Sequence, residues 1–403
     1  MSSSRRQDDP QNTSSIIISI IMQSIQFIGV WSSVGYKRSI ANFATICFIL
    51  TIGAQVINLV LERNDSEKMM EAFSVFSVCL MGLLKYISLR RNSTAWQYLL
   101  SRVSQIENEK MNENNDNLLD YETDDDNKET VPSVKHVYTY NDKAKFISTV
   151  LTRFYTLTVF MFVSTPIFEY FWKTYKNHEP MKLPHILPGW TPQDDFHFCA
   201  YFITVACEAI AAVYCVRIHV TFDVTFVTLM IFSCGQFNYL WVKSERIGGS
   251  GNNCQLSIKR DKRANFRIMQ CHKSHIMLVD LVTRLNKLLK IILGVYFTVI
   301  TLTLCTVAVR LRASDKLGLV KLILLLQYMA TNLMQLYLYC RYGDALLNQS
   351  SINMGEGPFG AAWWALSPPT RRHLSLLAAG MSRQQYMSSG IYIDNLPAFL
   401  QVT

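Results

Sequence analysis

QLYLYCRYGDALLNQSS, Gln335–Ser351, carries an apolar segment into polar sequence, and the fold turns on what that junction is. Read alone, it is the polar end of one membrane helix. Its meaning depends on how many such helices precede it and on which side of the bilayer it emerges. Composition favours a membrane: half of the 403 residues are hydrophobic and 17% are charged, against about 25% charged in a soluble domain. Aromatic residues make up 12%, and 16 Met supply soft apolar surface. Most of the ten Cys fall inside apolar runs (Cys47, Cys79, Cys207 and Cys215 among them). They read as small buried hydrophobes rather than as a disulfide framework.

A span needs about 20 mainly apolar residues. Six segments qualify, 40–61, 69–89, 146–171, 197–221, 288–309 and 317–340, the fourth continuing as helix to about residue 242. A seventh is broken: LSLLAAGM (374–381) gives way to SRQQ, and IYIDNLPAFLQVT closes the chain. That closing piece would rise only about 20 Å as a helix, short of the ~30 Å hydrocarbon layer. The expected fold class is therefore an all-α membrane protein, a seven-helix bundle whose last helix is incomplete. Ahead of the first span, Arg5-Arg6 and IIISIIMQSIQFIGVW imitate a signal peptide, but no small-x-small cleavage site follows. Residues 16–35 read instead as an amphipathic or re-entrant segment.

Charge orients the bundle. With the N-terminus in the cytoplasm, 27 of the 39 Lys and Arg fall on the inner side and 9 on the outer, with Arg153, Arg217 and Arg383 in or beside spans. Basic residues collect on the cytoplasmic side, so the N-terminus is expected inside. The net charge of +9 then reports topology, and no nucleic-acid partner is expected. Asn64 begins a glycosylation sequon on the outer side, whereas those at Asn92 and Asn348 fall inside.

The expected organisation is a cytoplasmic N-terminus (1–39), spans one to four (40–242) with an acidic insertion at 101–143, a basic connection (243–290), spans five and six (288–340), and an anchor with the partial seventh span (341–403). The insertion holds ENEKMNENNDNLLDYETDDDNKET and reads as disordered. The second outer loop has four prolines from Pro180 to Pro192, which suits an extended lid. GGSG (248–251) is a flexible tip, and KRDKR (259–263) a cytoplasmic basic cluster able to attract anionic lipid.

Enzyme chemistry finds no support. GGSG lacks the Lys-Ser/Thr of a phosphate-binding loop, and neither HExxH nor GxSxG occurs. Cys271, His272 and His275 have no second Cys pair at zinc spacing, so no metal or cofactor is expected. Ionisable groups inside spans carry more weight, because a charge in lipid needs a partner or a cavity. Glu208 and Arg217 sit nine residues apart, on opposite sides of one helix, so each must find a partner elsewhere. Glu208 reads either as polar glue between helices or as a ligand contact. Phe73, Phe76, Phe162, Phe168, Tyr201, Phe202 and Tyr328 enrich the outer halves of the spans. They suit an apolar pocket for a small volatile or lipid-like ligand, and equally ordinary helix packing.

With the spans in place, Gln335–Ser351 resembles the end of the sixth span in the insect odorant receptor family, through Gly343, Asp344, Leu346, Gln349 and Ser350 ahead of Trp363 or Trp364. HVTFDVTFVTLMIFSCGQFNYL (219–240) resembles the family's fourth-span end, and MSRQQYMSSGIYIDNLPAFLQV (381–402) its final segment. The resemblance implies a plasma-membrane, ligand-gated cation channel built as a tetramer with a shared co-receptor subunit. It implies a small hydrophobic odorant received between spans two to six, within the lipid bilayer. Leu396, Phe399 and Val402 would line the pore; Gly343, Asp344, Gln349 and Trp363 would sit in an inner anchor where subunits meet. The short fourth-to-fifth connection implies a ligand-tuning subunit. Three departures stand out: the acidic insertion at 106–130, the missing proline near Gln385-Tyr386, and an end at Thr403 that implies C-terminal truncation. The alternatives are a gustatory receptor channel and a G-protein-coupled receptor. The charge asymmetry and the lack of an Asp-Arg-Tyr after span three disfavour the latter. A transporter would show an inverted repeat, and none is visible.

Overall fold

The computed structural model describes residues 16–29, 31, 35–119, 133–177, 185–190, 198–249, 257–312, 319–351, 354–383, 385, 387–388 and 397. Among these, nine α-helices follow one another: α1 Ile16–Ile28, α2 Gly35–Leu61, α3 Ser66–Arg91, α4 Ser93–Leu119, α5 Ser133–Asn177, α6 Phe198–Ser244, α7 Ile258–Arg312, α8 Leu319–Ser351 and α9 Pro368–Met381. Six of them, α2, α3, α5, α6, α7 and α8, are long and apolar enough to cross a membrane, and the six expected segments fall in them, except for residues 197, 317 and 318, which lie outside the described residues. The apolar piece 374–381 falls in α9. The candidate pore residues Leu396, Phe399 and Val402 lie outside the described residues.

Several helices run further than hydropathy alone indicates. α7 has 55 residues, about 80 Å at the usual rise, so the basic connection from 258 and span five form one helix with no break near 288. α8 continues to Ser351, which makes Gln335–Ser351 helical throughout rather than a polar tail. α4 runs to Leu119, through the first part of the segment whose acidic composition suggested disorder. Side-chain pairs one turn apart support its earlier turns: Arg102 donates to Gln105 at 2.9 Å and Gln105 to Glu109 at 2.8 Å, although the Asn-rich stretch from Asn112 to Asn117 is a poor helix former. Residues 120–132 lie outside the described residues.

α6 is the axis of the bundle. It touches α1, α2, α3, α5, α7 and α8, and every residue from Ile218 to Cys234 is buried, as expected of a helix apolar on all sides. α1 lays a stripe of Ile17, Ile21, Ile25 and Ile28 into the core, and Thr221 Oγ1 of α6 donates to Ser24 O at 2.9 Å. α2 turns Ile40, Phe43, Ile46 and Leu50 outward, a face suited to lipid. α3 starts at Asp65, whose carboxylate accepts from the amides of Glu67 (3.1 Å) and Lys68 (3.3 Å), the N-cap arrangement. Those bonds, that from Lys68 foremost, hold the Asp65 carboxyl below the usual carboxylate range.

Candidate functional site

Lys85 of α3 and Asp223 of α6 are both fully buried, with Lys85 Nζ 2.5 Å from Asp223 Oδ1. A buried ion pair survives only when its remaining donors and lone pairs are satisfied, and here they are. Tyr155 of α5 donates to Asp223 Oδ2 at 2.5 Å, and Gln335 of α8 to the same oxygen at 3.0 Å. Tyr339, one turn further along α8, donates to Oδ1. The carboxylate thus accepts four bonds, the capacity of its two oxygens. Lys85 also reaches His219 Nδ1 at 3.1 Å and lies 5.4 Å from the Phe222 ring centroid. His219 Nε2 is 3.1 Å from Val78 O. That contact fixes the proton on Nε2 and leaves Nδ1 to accept from Lys85.

Local helix geometry brings these groups together. His219 and Asp223 are four residues apart on α6, as are Gln335 and Tyr339 on α8, so each pair shares one face. Gly82 lets α3 approach α6 at this level: a Cβ there would lie 2.9 Å from Cys215 Sγ and 3.3 Å from His219 Nε2. Four helices, α3, α5, α6 and α8, are consequently tied to one carboxylate.

Beside the cluster is a cavity of about 170 Å³, comparable to the ~150 Å³ that accommodates a benzene-sized guest. Tyr155, His219 and Gln335 form one end of it. Its walls are mainly apolar, with Val75, Val78, Val159, Phe162, Val216 and Ile300 among them. Hydroxyl pairs bridge its helices: Ser77 with Thr303 at 3.1 Å, and Thr158 with Thr331 at 2.9 Å. Tyr328 OH donates to Ser74 O at 3.0 Å. Glu71 and Arg310, 3.6 Å apart, line the opposite end.

The described part of the proline-rich loop, 185–190, closes over this end, and Leu187 lines the cavity. Glu208 of α6 fastens it. Its Oε2 accepts from the amides of Ile186 (2.9 Å) and Leu187 (3.3 Å), and His185 Nδ1 lies 3.1 Å from Oε1. Trp190 N donates to Ala54 O at 3.2 Å.

Of the residues singled out by sequence, Phe162 and Tyr328 line the cavity, whereas Phe73, Phe76, Phe168, Tyr201, Phe202 and Glu208 do not. Phe76 packs against the core, Phe168 and Phe202 are over half exposed, and Tyr201 is edge-on to His185 at 5.6 Å. Gly343, Asp344 and Gln349 lie in the last turns of α8, where Asn348 donates to Asp344 at 3.0 Å. Trp363 begins a short 3-10 turn, edge-on to Phe359 at 5.8 Å. Lys85 escaped the sequence reading, and Asp223 entered it only within the stretch 219–240 that resembles the family, not as an ion in need of a partner. A signal existed: a lone Lys inside span two and a lone Asp in the helical continuation of span four.

The family model described as 7tm Odorant receptor matches residues 65–403. No curated protein matches the chain by sequence. Among solved structures, the chain is similar to the insect olfactory receptor OR5 from Machilis hrabei, with 14% identity and a TM-score of 0.76, covering 96% of this chain and 94% of that one. It is equally similar to the same receptor in complex with eugenol, with 15% identity, a TM-score of 0.75 and the same coverage. Identity this low makes the likeness one of fold.

Proposed function

This chain belongs to the 7tm odorant receptor family, and from that premise we propose that it receives a small, mainly apolar odorant in the cavity beside Asp223. We further propose that it gates a cation channel as a heteromer with the odorant receptor co-receptor, in the plasma membrane with its N-terminus in the cytoplasm. The chain is a multi-pass membrane receptor and not an enzyme.

One observation carries the ligand reading: an apolar cavity of about 170 Å³, roofed by Leu187, ends on Tyr155, His219 and Gln335. Apolar walls with a few convergent polar groups are the usual make-up of a small-molecule site. The solved relative in complex with eugenol supports a ligand of this class. A polar oxygen on the odorant would meet Gln335 and Tyr155, whose donors are already engaged by Asp223. Odorant and carboxylate therefore compete for donors on α5 and α8. A ligand moves a conformational equilibrium only by binding its two states unequally, and this competition supplies such a difference at the point where four helices are joined. Assembly is supported by apolar surface beyond α8: Trp363 and Trp364 are 37% and 56% exposed.

The test is ligand-evoked current in cells expressing the chain with and without the co-receptor, challenged with a panel of small volatile phenols, alcohols and esters that includes eugenol. Cation current requiring both subunits is the expected result. A response that needs a GTP-binding protein and no co-receptor would overturn the channel reading.

A further inference from the structure

A second concavity lies at the other end of the bundle, where α1, α2, α3 and α4 meet. A polar cleft of about 330 Å³ is lined by Arg38, Asn42, Arg90, Ser93, Gln97 and Tyr214, among others. It adjoins a mainly apolar groove of about 390 Å³ past Ile40, Ala41 and Ala44, with Lys37 at its side. Cleft and groove share Ile28, Gly29, Ala41 and Tyr214, so they form one continuous site. Gly29 shapes the junction: its φ is +72°, and a Cβ there would lie 2.7 Å from Ala41 Cβ.

The charge in this site is one-signed. Arg38, Arg90 and Lys37 line it, and no Asp or Glu does among the described residues. Arg90 is held in place by donating to Tyr86 OH at 2.8 Å, an uncharged partner that leaves its positive charge uncompensated. Beside the groove, Ile40 and Phe43 are 64% and 56% exposed on the outward face of α2. Guanidinium pairs match phosphate oxygens in forked geometry, and an apolar groove beside an outward apolar face matches an acyl chain.

We propose that the cleft and groove bind an anionic phospholipid, with its phosphate between Arg38 and Arg90 and one acyl chain along Ile40 and Ala44. A zwitterionic lipid has no net charge for these three cations to attract, whereas an anionic one does, so the site favours net negative headgroups. The proposed orientation puts this end in the cytoplasmic leaflet, where anionic lipids reside. Only the choice of leaflet rests on that reading.

The experiment uses the full chain purified in mild detergent, with dioleoylphosphatidylserine, dioleoylphosphatidylcholine or sodium phosphate added separately. Native mass spectrometry reads retained lipid, and melting temperature reads stabilisation. Phosphatidylserine is expected to be retained in preference to phosphatidylcholine. The double substitution Arg38→Gln/Arg90→Gln should weaken its retention by about thirty-fold, from the usual contribution of two basic residues near an anionic headgroup. Lys143→Gln/Lys145→Gln, the same charge loss on exposed positions of α5, should leave retention unchanged. Ile40→Glu, on an exposed side chain, should also abolish retention, which keeps the test decisive if the arginine variant fails to fold. Equal retention of the two lipids, or equal behaviour of the arginine and lysine double variants, overturns the proposal. So does sodium phosphate alone reproducing the whole stabilisation, which would make this a free-anion site.

Discussion

Asp223→Ala is the perturbation with the largest expected consequence. It leaves the Lys85 ammonium buried with His219 Nδ1 as its one nitrogen partner and with ring faces at 5.4 and 6.0 Å. An ion stripped of its buried partner costs about 3–5 kcal/mol. Tyr155, Gln335 and Tyr339 lose their acceptor as well, at about 1–3 kcal/mol for each donor left unpaired. Gln335 and Tyr339 retain each other at 3.3 Å, so the net loss should be at least about 5 kcal/mol, most of a typical protein's stability. Lys85→Met is milder, about 3 kcal/mol, because three neutral donors still surround the carboxylate. The pair Lys85→Met/Asp223→Leu removes the stranded ion but still leaves Tyr155, Gln335 and Tyr339 without their acceptor. The order of stability should therefore be parent, Lys85→Met, double variant, Asp223→Ala. Unfolding in detergent and surface abundance measure it, and Lys85→Met/Asp223→Leu should rescue the surface expression that Asp223→Ala loses. Additive losses with no rescue would refute the claim that one buried network joins these helices.

Four smaller perturbations probe the rest. Gly82→Val should push α3 from α6 and lower stability by about 1–3 kcal/mol, the usual cost of overpacking, measured by the same unfolding assay; an unchanged value refutes the close approach. Glu208→Gln keeps the shape but removes the charge that fastens the loop, worth about 1.5–3 kcal/mol. Hydrogen exchange at the Ile186 and Leu187 amides should accelerate accordingly, while unchanged protection would contradict the tether. Phe162→Ala enlarges the cavity and should shift odorant dose–response curves at least about tenfold, the scale of one buried aromatic side chain; Phe168→Ala, on an exposed face, should leave them in place. Asp65→Ala should lower the melting temperature slightly. Because the folded carboxyl is the more acidic state, the cap's contribution is present above the ordinary carboxylate range and fades as pH falls through the folded value. A substitution effect that grows toward acid would contradict it.

The spans were legible because hydropathy over some twenty residues is a sum, insensitive to which side chain faces where. The cavity was not, because its lining depends on rotation. On α3 the phenylalanines at 73 and 76 drew notice, yet Ser74 and Ser77, the next residue along in each case, face the cavity. One residue turns a helix by about 100°, and apolar patterning loses phase when both lipid and protein interior are apolar. Lys85 and Asp223 are 138 residues apart, a separation over which no local pattern signals contact. Glu208 was legible as an intramembrane acid needing a partner. That the partner is loop backbone depends on where the loop folds, which proline content does not specify. The overrun of α7 and α8 past the apolar segments was hidden because polar residues at a membrane surface suit loop and helix equally.

The Lys85–Asp223 pair has an electrical consequence. An isolated charge carried across the membrane gains or loses about 2.3 kcal/mol per 100 mV, which would make any rearrangement around it sensitive to voltage. Two opposite charges 2.5 Å apart sum to zero and present the field with only a short dipole. The junction of four helices can therefore shift as a unit without this pair carrying net charge through the membrane field.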